Sequence, residues 1–408
     1  MKYIILVGDG MGDFPIAELN NRTPLEAADT PWLDKLCTRG EFFLTRTVPE
    51  GYPPGSDVAN LSLLGYPPET YYTGRAPLEA AAMGIKLDPD QTAFRCNLVT
   101  IEEQPDELVR MIDYSAGHID SDTSRTLIQA LNEHCRTDRF EFYAGISYRH
   151  ILLVRGSYPE LAPVPPHDYI EKDVTEAWNR YMADPEWKTL VKKAAEVLRE
   201  HPLNRARVSD GINPANSVWL WGEGKLPTPP GLNDRFGLTG SLISAVDLLK
   251  GLAVVSGLEV LNIPGATGYI DTNYAGKAEA ALNSLERGNF VYVHVEAPDE
   301  AGHQGSLEHK MLAIKDFDEK IVGPIVEGLE KRGEDFRLIA TMDHFTPLSL
   351  RTHTDSPVPT LLYDSRETTD GSGLTFNERN GEQAAEKGNY VASGEKLMEK
   401  LTERSVSR

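Results

Sequence analysis

The chain has 408 residues, of which 40% are hydrophobic and 25% are charged, and its formal net charge is -21. This composition indicates a folded protein with a full core, long enough for two domains or for one domain with a large insertion. The negative charge argues against nonspecific binding to nucleic acids or anionic membranes, because both need a basic surface. The cysteines Cys37, Cys96 and Cys135 lie far apart and predict neither a disulfide framework nor a thiolate metal site.

The N-terminal segment reads Met-Lys-Tyr-Ile-Ile-Leu-Val and lacks the charged leader and long apolar region of a secretion signal. No later apolar run has the length of a membrane span. We therefore expect a cytoplasmic protein, and the sequence leaves its oligomeric state open.

The first predicted element is a buried parallel strand over residues 3–7, a continuous apolar run. The strand ends at the glycine-rich sequence Gly8-Asp-Gly-Met-Gly-Asp13. Ligands of open α/β sheets bind outside the carboxyl ends of the strands, so Asp9 is a candidate metal ligand. The structural alternative is an aspartate that only serves a glycine-rich turn.

A serine precedes a short apolar helix in the sequence that follows Pro54, which reads Gly-Ser-Asp-Val-Ala-Asn-Leu-Ser-Leu-Leu. This pattern places Ser56 at a helix N-terminus, where unpaired amides and the positive end of the dipole favour an anion. The same environment helps the serine oxygen to lose its proton. We interpret Ser56 as a candidate nucleophile, and the alternative is a serine that only caps the helix.

The sequence pattern changes near residue 90 to mixed strands and helices with many charges. This change predicts an inserted domain. We assign residues 93–210 to this insertion and residues 1–92 and 211–408 to a discontinuous core. Within the insertion we predict strands at 92–100 and 151–154 and helices at 124–133 and 186–200. His118, Arg149 and His150 are its candidate ligand-binding residues, and they reach a ligand if the insertion folds over the Ser56 loop.

Alternation of strands and helices resumes after residue 210 and predicts a return to the parallel sheet. Strands are predicted at 217–221, 258–263, 289–295 and 336–342, and helices at 242–251 and 274–287. Two positively charged side chains near predicted loops are candidates for binding a substrate. Arg75 lies in a loop that enters an apolar helix, and Lys277 lies in the helix at 274–287.

Two later strands end in further candidate metal ligands. Asp299 and His303 follow the strand at 289–295 and are four residues apart, a spacing that places both on one side of a helical turn. The strand at 336–342 runs into Asp343-His344, and His353 follows in the next loop. Clustered carboxylates repel unless cations bridge them, so this set predicts a metal site beside the candidate nucleophile.

These motifs resemble the alkaline phosphatase superfamily, and specifically the archaeal-type cofactor-independent phosphoglycerate mutases, nearly end to end. The resemblance rests on Gly8-Asp-Gly-Met-Gly-Asp13, Pro54-Gly-Ser-Asp-Val-Ala-Asn-Leu-Ser-Leu-Leu-Gly65, Tyr72-Thr-Gly-Arg75, His294-Val-Glu-Ala-Pro-Asp-Glu-Ala-Gly-His303 and Asp343-His344 with Thr352-His353. It implies an α/β core with a mainly parallel sheet flanked by helices. It also implies a smaller inserted α+β domain whose basic residues hold the rest of the substrate.

By the same resemblance the site holds two divalent ions. Mixed carboxylate and imidazole ligands suit Mn²⁺ or Zn²⁺ and do not discriminate between them. One ion is then bound by Asp299, His303 and His353, and the other by Asp9, Asp343, His344 and Ser56 Oγ. One metal acidifies the serine, and the pair stabilises charge on the phosphoryl oxygens during an in-line displacement.

The activity that the resemblance implies is that of a glycolytic isomerase, which interconverts 3-phosphoglycerate and 2-phosphoglycerate through a phosphoserine at Ser56. Two substrate-binding positions depart from the mutase pattern, because Trp221 and His118 lie where that pattern has arginines. A related bacterial branch proposed to be homoserine kinases has a similar tryptophan-rich strand. A homoserine kinase of threonine biosynthesis is therefore the alternative.

A third interpretation is a noncatalytic metal-binding scaffold, which does not need a hydroxyl at Ser56. Under either catalytic interpretation the substrate is a small phosphorylated or phosphate-accepting metabolite. Its carboxylate or amino-acid head group must be bound by residues outside the metal cluster. The candidates for this contact are Arg75, His118, Arg149, His150 and Lys277.

Overall fold

A computed structural model describes residues 1–105, 107–159, 161, 164–367 and 371–403. The strands are β1 (Lys2–Gly8), β2 (Glu41–Thr45), β3 (Gln91–Glu103), β4 (Val109–Asp113), β5 (Phe140–Ile146), β6 (Arg149–Arg155), β7 (Ser217–Gly224), β8 (Gly240–Ile243), β9 (Glu259–Val260), β10 (Phe290–Val295), β11 (Phe336–Thr341), β12 (Val358–Asp364) and β13 (Tyr390–Val391). The α-helices are α1 (Pro24–Ala27), α2 (Pro31–Arg39), α3 (Ser56–Leu63), α4 (Pro68–Tyr71), α5 (Ala76–Ala82), α6 (Ser121–Cys135), α7 (Thr175–Ala183), α8 (Pro185–Glu200), α9 (Pro202–Ser209), α10 (Leu232–Phe236), α11 (Asp247–Ser256), α12 (Tyr274–Arg287), α13 (Ala297–Gln304), α14 (Leu307–Phe317), α15 (Gly323–Arg332), α16 (Glu378–Glu386) and α17 (Gly394–Thr402). None of these helices combines the length and the apolar character that crossing a bilayer requires.

The chain divides into two compact units, one formed by Met1–Tyr72 with Thr228–Arg408 and the other by Thr73–Pro227. The second unit is wider than the insertion predicted at 93–210. Helix α5 packs on β3 and β7, and β7 pairs with β3, so both elements are part of the second unit. Its sheet is antiparallel, with β3 bonded to β4, β6 and β7 and β5 bonded to β6.

The first unit contains an eight-stranded sheet in the order β13-β2-β12-β11-β1-β10-β8-β9, in which β12 alone is antiparallel to its neighbours. Four consecutive residues of β1, from Ile4 to Val7, are fully buried. Successive side chains of a strand point to opposite faces, so both faces of the sheet are covered at this strand. The α/β core with a mainly parallel sheet, and the smaller α+β insertion, are confirmed as fold class.

The register of the central strands positions the site. Strand β1 pairs in parallel with β10 on one side and β11 on the other, so that Val7 lies opposite both His294 and Thr341. All three strands therefore end at one edge of the sheet. The loops that follow them carry Asp9, Glu296 and Asp343 to the same place.

Three predicted elements differ from the structure, and the first is the strand at 217–221, which is β7 of the antiparallel sheet in the second unit and not part of the parallel sheet. The helix expected at 242–251 is wrong in its first part, since Leu242 and Ile243 belong to β8 and α11 begins at Asp247. A short apolar run does not distinguish a buried parallel strand from a helix, and pairing with β10 decides the outcome here. The strand expected at 258–263 is limited to β9, at the sheet edge.

A buried lysine ties the loop after β1 to the loop after β11. Lys310 of α14 donates to Asp13 Oδ2 at 2.9 Å and to the carbonyl oxygens of Gly12 and Thr346 at 3.0 and 2.8 Å. Its side chain is fully buried, so these three acceptors replace the water that an ammonium group otherwise binds. The lysine thereby fixes both loops at the carboxyl edge of the sheet.

Replacement of Glu378 by glutamine should remove a pH-dependent loss of stability. Burial raises the pKa of Glu378 from 4.5 to about 7, against opposing hydrogen bonds from Thr23 and Asp13. Because the folded-state pKa is the higher one, the stabilising contribution is complete below about pH 4.5 and is lost as the pH rises through about 7. Across that window the wild type should lose about 3 kcal/mol of unfolding free energy relative to Glu378→Gln. Denaturant titrations at a series of pH values measure this difference, and parallel stability curves would contradict the raised pKa.

Candidate active site

Ser56 is the first residue of α3 and follows the N-cap residue Gly55. Its carbonyl oxygen accepts a hydrogen bond from Asn60 Nδ2 at 2.8 Å, and its hydroxyl lies 3.3 Å from His344 Nε2. The predicted position at a helix N-terminus is thus the one observed. The amides of the first turn of α3 place partial positive charge beside the serine oxygen.

Asp9, Asp343 and His344 lie next to Ser56 and are almost completely buried. His344 Nε2 is 3.4 Å from Asp9 Oδ1 and 3.6 Å from Asp343 Oδ2. Asn60 Nδ2 donates to Asp343 Oδ2 at 2.9 Å, and the amide of Gly10 donates to Asp343 Oδ1 at 3.1 Å. These bonds hold the aspartate against the start of the serine helix.

A second cluster combines Asp299 and His303 of α13 with His353. His303 Nε2 lies 3.3 Å from Asp299 Oδ2 and 2.9 Å from His353 Nε2, and His353 Nε2 lies 3.4 Å from Asp299 Oδ1. The hydroxyl of Thr346 donates to Asp299 Oδ1 and lies 3.3 Å from His344 Nδ1. This threonine connects the two clusters.

His294, at the end of β10, joins the first cluster and was not among the predicted ligands. Two groups in the described part of the chain have ligand atoms that all lie within 4.8 Å of one another, and these are Asp9, His294 and Asp343, and Asp299, His344 and His353. This division places His344 with the second group, whereas the resemblance places it with the first. The measured distances put its ring within 4 Å of the first group's carboxylates as well.

The carboxylates perturb one another strongly. Burial, and then the charges of Asp343 and Asp299, raise the pKa of Asp9 well above its usual range. Burial also acts to raise the pKa of Asp299, but contacts with His303 and His353 outweigh it and hold that pKa well below the usual range. For Asp343 the opposing influence on the pKa comes from His344 and His294, and the net shift is again downward.

The residues present fit divalent metal ions. Asp9 Oδ1 and both ring nitrogens of His294 are buried and have no hydrogen-bond partner among the described residues. Carboxylate oxygens and imidazole nitrogens are ligands that divalent transition metals and zinc accept. The cluster is therefore a candidate site for divalent metal ions, and its chemistry does not specify which metal.

The second unit contains an arginine cluster, and one of its members, Arg95, was not among the predicted site residues. Arg95 of β3 has its Nε 3.0 Å from Glu79 Oε2, and its guanidinium lies 4.2 Å from the ring centroid of Trp221. Burial lowers the pKa of Arg95 to about 10 against the opposing charge of Glu79, and the charges of Arg75 and Arg149 lower it further. Arg75 and Arg95 thus both pair with Glu79, and Arg149 adds a third positive charge near Arg95.

The other insertion residues have different surroundings. His118 is exposed and has a left-handed backbone conformation with φ 48°. His150 is buried, and its Nδ1 accepts a hydrogen bond from the amide of Gly145 at 3.0 Å. Burial, followed by the charge of Arg149, lowers the pKa of His150 to about 3, so its ring is neutral near pH 7.

Lys277, expected to bind a substrate, has another role in the structure. Its side chain is fully buried, and its Nζ donates to Glu296 Oε2 at 2.8 Å and to the carbonyl oxygen of His294 at 3.1 Å. The amine is thus occupied inside the core. The reason is the helical position of Lys277, which faces the sheet and places its Nζ at the end of β10.

A serine at a helix start thus lies beside aspartate and histidine clusters at the carboxyl edge of a mainly parallel sheet, an arrangement typical of a metal-dependent enzyme site. The family model of 2,3-bisphosphoglycerate-independent phosphoglycerate mutase matches residues 37–204. A member that is 50% identical over 99% of this chain shows that the chain belongs to this family.

Among curated relatives, the chain is 50% identical over 404 residues to the probable 2,3-bisphosphoglycerate-independent phosphoglycerate mutase of Geobacter sulfurreducens, covering 99% of this chain and 100% of that protein. It is 49% identical over 377 residues to the mutase of Methanosarcina acetivorans, covering 92% and 94% of the two chains. Among solved structures it is similar to the cofactor-independent phosphoglycerate mutase of Thermoplasma acidophilum, with a TM-score of 0.64, 26% identity and coverage of 98% and 99%. A Pyrococcus horikoshii protein gives a TM-score of 0.79 at 28% identity, with coverage of 100% and 98%. The homoserine kinase alternative gains no support from these relatives.

Proposed function

We propose that this enzyme interconverts 3-phosphoglycerate and 2-phosphoglycerate through a phosphoserine at Ser56. The observation that carries the proposal is the position of the Ser56 hydroxyl, at a helix N-terminus and 3.3 Å from His344 Nε2. Membership of the mutase family supports the choice of substrate. No added 2,3-bisphosphoglycerate is needed, because the serine itself stores the phosphoryl group between the two transfers.

We infer that two divalent ions, Mn²⁺ or Zn²⁺, complete the site. Asp299, His303 and His353 would hold one ion, and Asp9, Asp343, His344 and Ser56 Oγ would hold the other. When bound, the ions lower the pKa of the serine hydroxyl and neutralise charge on the phosphoryl oxygens. Asn60 supports this arrangement, since it bonds both the Ser56 carbonyl and Asp343.

The reaction consists of two phosphoryl transfers in opposite directions. Ser56 loses its proton, and its Oγ forms a bond to phosphorus while the bond from phosphorus to the 3-oxygen of the glycerate breaks. The 3-oxygen takes up a proton, and the glycerate reorients. Its 2-hydroxyl then loses a proton and forms a bond to phosphorus while the bond from phosphorus to Ser56 Oγ breaks, and Ser56 regains its proton. Water must stay out between the two steps, because hydrolysis of the phosphoserine would release inorganic phosphate.

The glycerate carboxylate needs a cationic partner, since ions that bind the phosphoryl group leave the other end of the substrate unbound. We propose that the cluster of Arg75, Arg95 and Arg149 provides it. Its guanidinium groups outnumber the carboxylate of Glu79, and Arg149 is the exposed member. Guanidinium groups bind carboxylates through paired hydrogen bonds.

Arg149→Ala should raise KM for 3-phosphoglycerate by roughly 10- to 100-fold, the usual effect of losing a charged hydrogen bond. It should also raise the ratio of phosphate release to phosphoryl transfer, because a loosely held glycerate escapes before the second step. Metal content should be unchanged. Arg125→Ala is the matched control, since Arg125 is also exposed in the second unit and pairs only with Asp122 of its own helix among the described residues. Equal kinetics in the two variants would remove Arg149 from the substrate site.

The assay that tests the function uses purified protein loaded with Mn²⁺. We expect 2-phosphoglycerate to form from 3-phosphoglycerate without 2,3-bisphosphoglycerate. A parallel reaction with homoserine and a nucleoside triphosphate should give no phosphohomoserine. Phosphorylation of homoserine in the absence of mutase activity would overturn the proposal.

A further inference from the structure

A buried histidine lies behind the carboxylates of Asp9 and Asp343. His294 is the one residue of β10 that can carry a positive charge, in the sequence Phe-Val-Tyr-Val-His-Val, and its side chain is fully buried. It pairs in register with Val7, two residues before Asp9. Burial of an ionisable ring in a sheet costs free energy unless polar partners compensate for the lost water.

Both ring nitrogens of His294 face carboxylates. Nε2 lies 3.4 Å from Asp9 Oδ2 and 3.7 Å from Asp343 Oδ2. Nδ1 lies 3.4 Å from Glu296 Oε1. The ring therefore stands between the two aspartates on one side and a glutamate on the other.

Glu296 is itself held rigidly. Its Oε1 accepts hydrogen bonds from the Ser244 hydroxyl at 2.7 Å and from the Ala245 amide at 2.6 Å. Its Oε2 accepts from Lys277 Nζ at 2.8 Å, and the same amine donates to the His294 carbonyl at 3.1 Å. Lys277 thus fixes both the glutamate and the backbone that carries the histidine.

We propose that His294 is a positioning residue, which orients the carboxylates of Asp9 and Asp343 toward a divalent ion and is fixed in turn by Glu296 and Lys277. The inference rests on the metal site of the proposed function. Groups that hold a metal ligand in place from behind typically change metal affinity by about 10- to 100-fold when they are removed. Without the ring, Asp9 would lose a group that lies 3.4 Å from its Oδ2, whereas Asp343 would keep its hydrogen bonds from Asn60 and Gly10.

If His294 only stabilised the fold, its replacement would have a different effect on metal binding. Its loss would lower stability and weaken the whole site without preference for one ion. A positioning residue instead acts on the ion bound by Asp9 and Asp343 and leaves the ion bound by Asp299, His303 and His353 in place. The affinity of each ion, measured separately, therefore discriminates between the two roles.

The experiment is calorimetric titration of the metal-free enzyme with Mn²⁺, without substrate, together with metal counting and thermal unfolding. His294→Gln should bind one ion about 10- to 100-fold more weakly and the other with unchanged affinity. The weakened ion should be the one that Asp343→Asn loses. Tyr274→Phe is the control, because it removes a buried hydroxyl of α12 that has no hydrogen-bond partner among the described residues, and it should bind both ions normally.

Glu296→Gln keeps the shape of the side chain and should weaken the same ion by a smaller factor. In the His294→Gln background it should add no further loss, because its influence passes through the ring. If His294→Gln fails to fold, Glu296→Gln alone tests the positioning role.

Three results would overturn the proposal: unchanged affinity for both ions in His294→Gln and Glu296→Gln, an equal loss of both ions, or a loss of one ion in His294→Gln as complete as that in Asp343→Asn. The last result would make His294 a ligand itself. Since no substrate is present, a protein with the selective loss but without mutase activity would support this inference and refute only the proposed function.

Discussion

Ser56→Ala should lower kcat by roughly 10³-fold or more, while both ions and the thermal unfolding temperature remain close to those of the wild type. The hydroxyl forms the covalent bond to phosphorus in every turnover, and no other described hydroxyl occupies the start of α3. The loss of one oxygen ligand leaves Asp9, Asp343 and His344 in place. Steady-state kinetics, elemental analysis and calorimetry on the same preparation measure the three quantities.

Ser62→Ala provides the matched control for this variant. Ser62 lies in the same helix and is buried, and its hydroxyl accepts a hydrogen bond from the Gly394 amide at 3.1 Å. Its loss should cost about 1 kcal/mol of stability and leave kcat unchanged. If Ser56→Ala retained more than a few per cent of activity, or if both variants lost activity equally, covalent catalysis at Ser56 would be wrong.

Asp343→Asn and His303→Ala should each remove a different ion. Asp343 is fully buried, and its carboxylate accepts from Gly10 and Asn60, so an asparagine preserves the shape but not the charge. His303 Nε2 contacts Asp299 and His353 of the second cluster, and its Nδ1 lies 3.0 Å from the carbonyl oxygen of Arg351. Each substitution deletes a direct ligand, and the affinity for that ion should fall by more than the roughly 10- to 100-fold effect of a supporting residue.

His344→Ala should remove the same ion as Asp343→Asn. Elemental analysis after dialysis counts the ions that remain, with one per chain expected in each variant. Loss of both ions in all three variants would leave the two-ion assignment without support. Retention of the Asp343 ion in His344→Ala would instead place His344 with Asp299 and His353, the alternative division allowed by the distances.

Much of the fold and of the first set of site residues follows from the sequence for a physical reason. Buried parallel strands are continuous apolar runs, and polar residues that directly follow them must lie at one edge of the sheet. Asp9 and Asp343 satisfy this rule, and the structure places them together. The short apolar run after residue 242 does not follow this rule, because such a run is compatible with either a strand or a helix.

Side chains that act across the core could not be assigned in this way. His294 lies in the strand sequence Phe-Val-Tyr-Val-His-Val and Arg95 in Phe-Arg-Cys, so the signal for both is a basic residue inside an otherwise uncharged buried run. Lys277 is the reverse case, since its charge predicts a substrate contact, whereas the structure buries its amine against Glu296. Which partner a buried charge meets depends on pairing between distant segments, which spacing along the chain does not reveal.

In the proposed reaction Ser56 carries the phosphoryl group between the two positions of the glycerate. A rapid-quench experiment with 3-phosphoglycerate labelled in its phosphoryl group tests this most directly. Within the first turnover the label should appear on the Ser56 peptide and then in 2-phosphoglycerate, with no 2,3-bisphosphoglycerate present. Formation of 2-phosphoglycerate without label on Ser56 at any time would contradict the account.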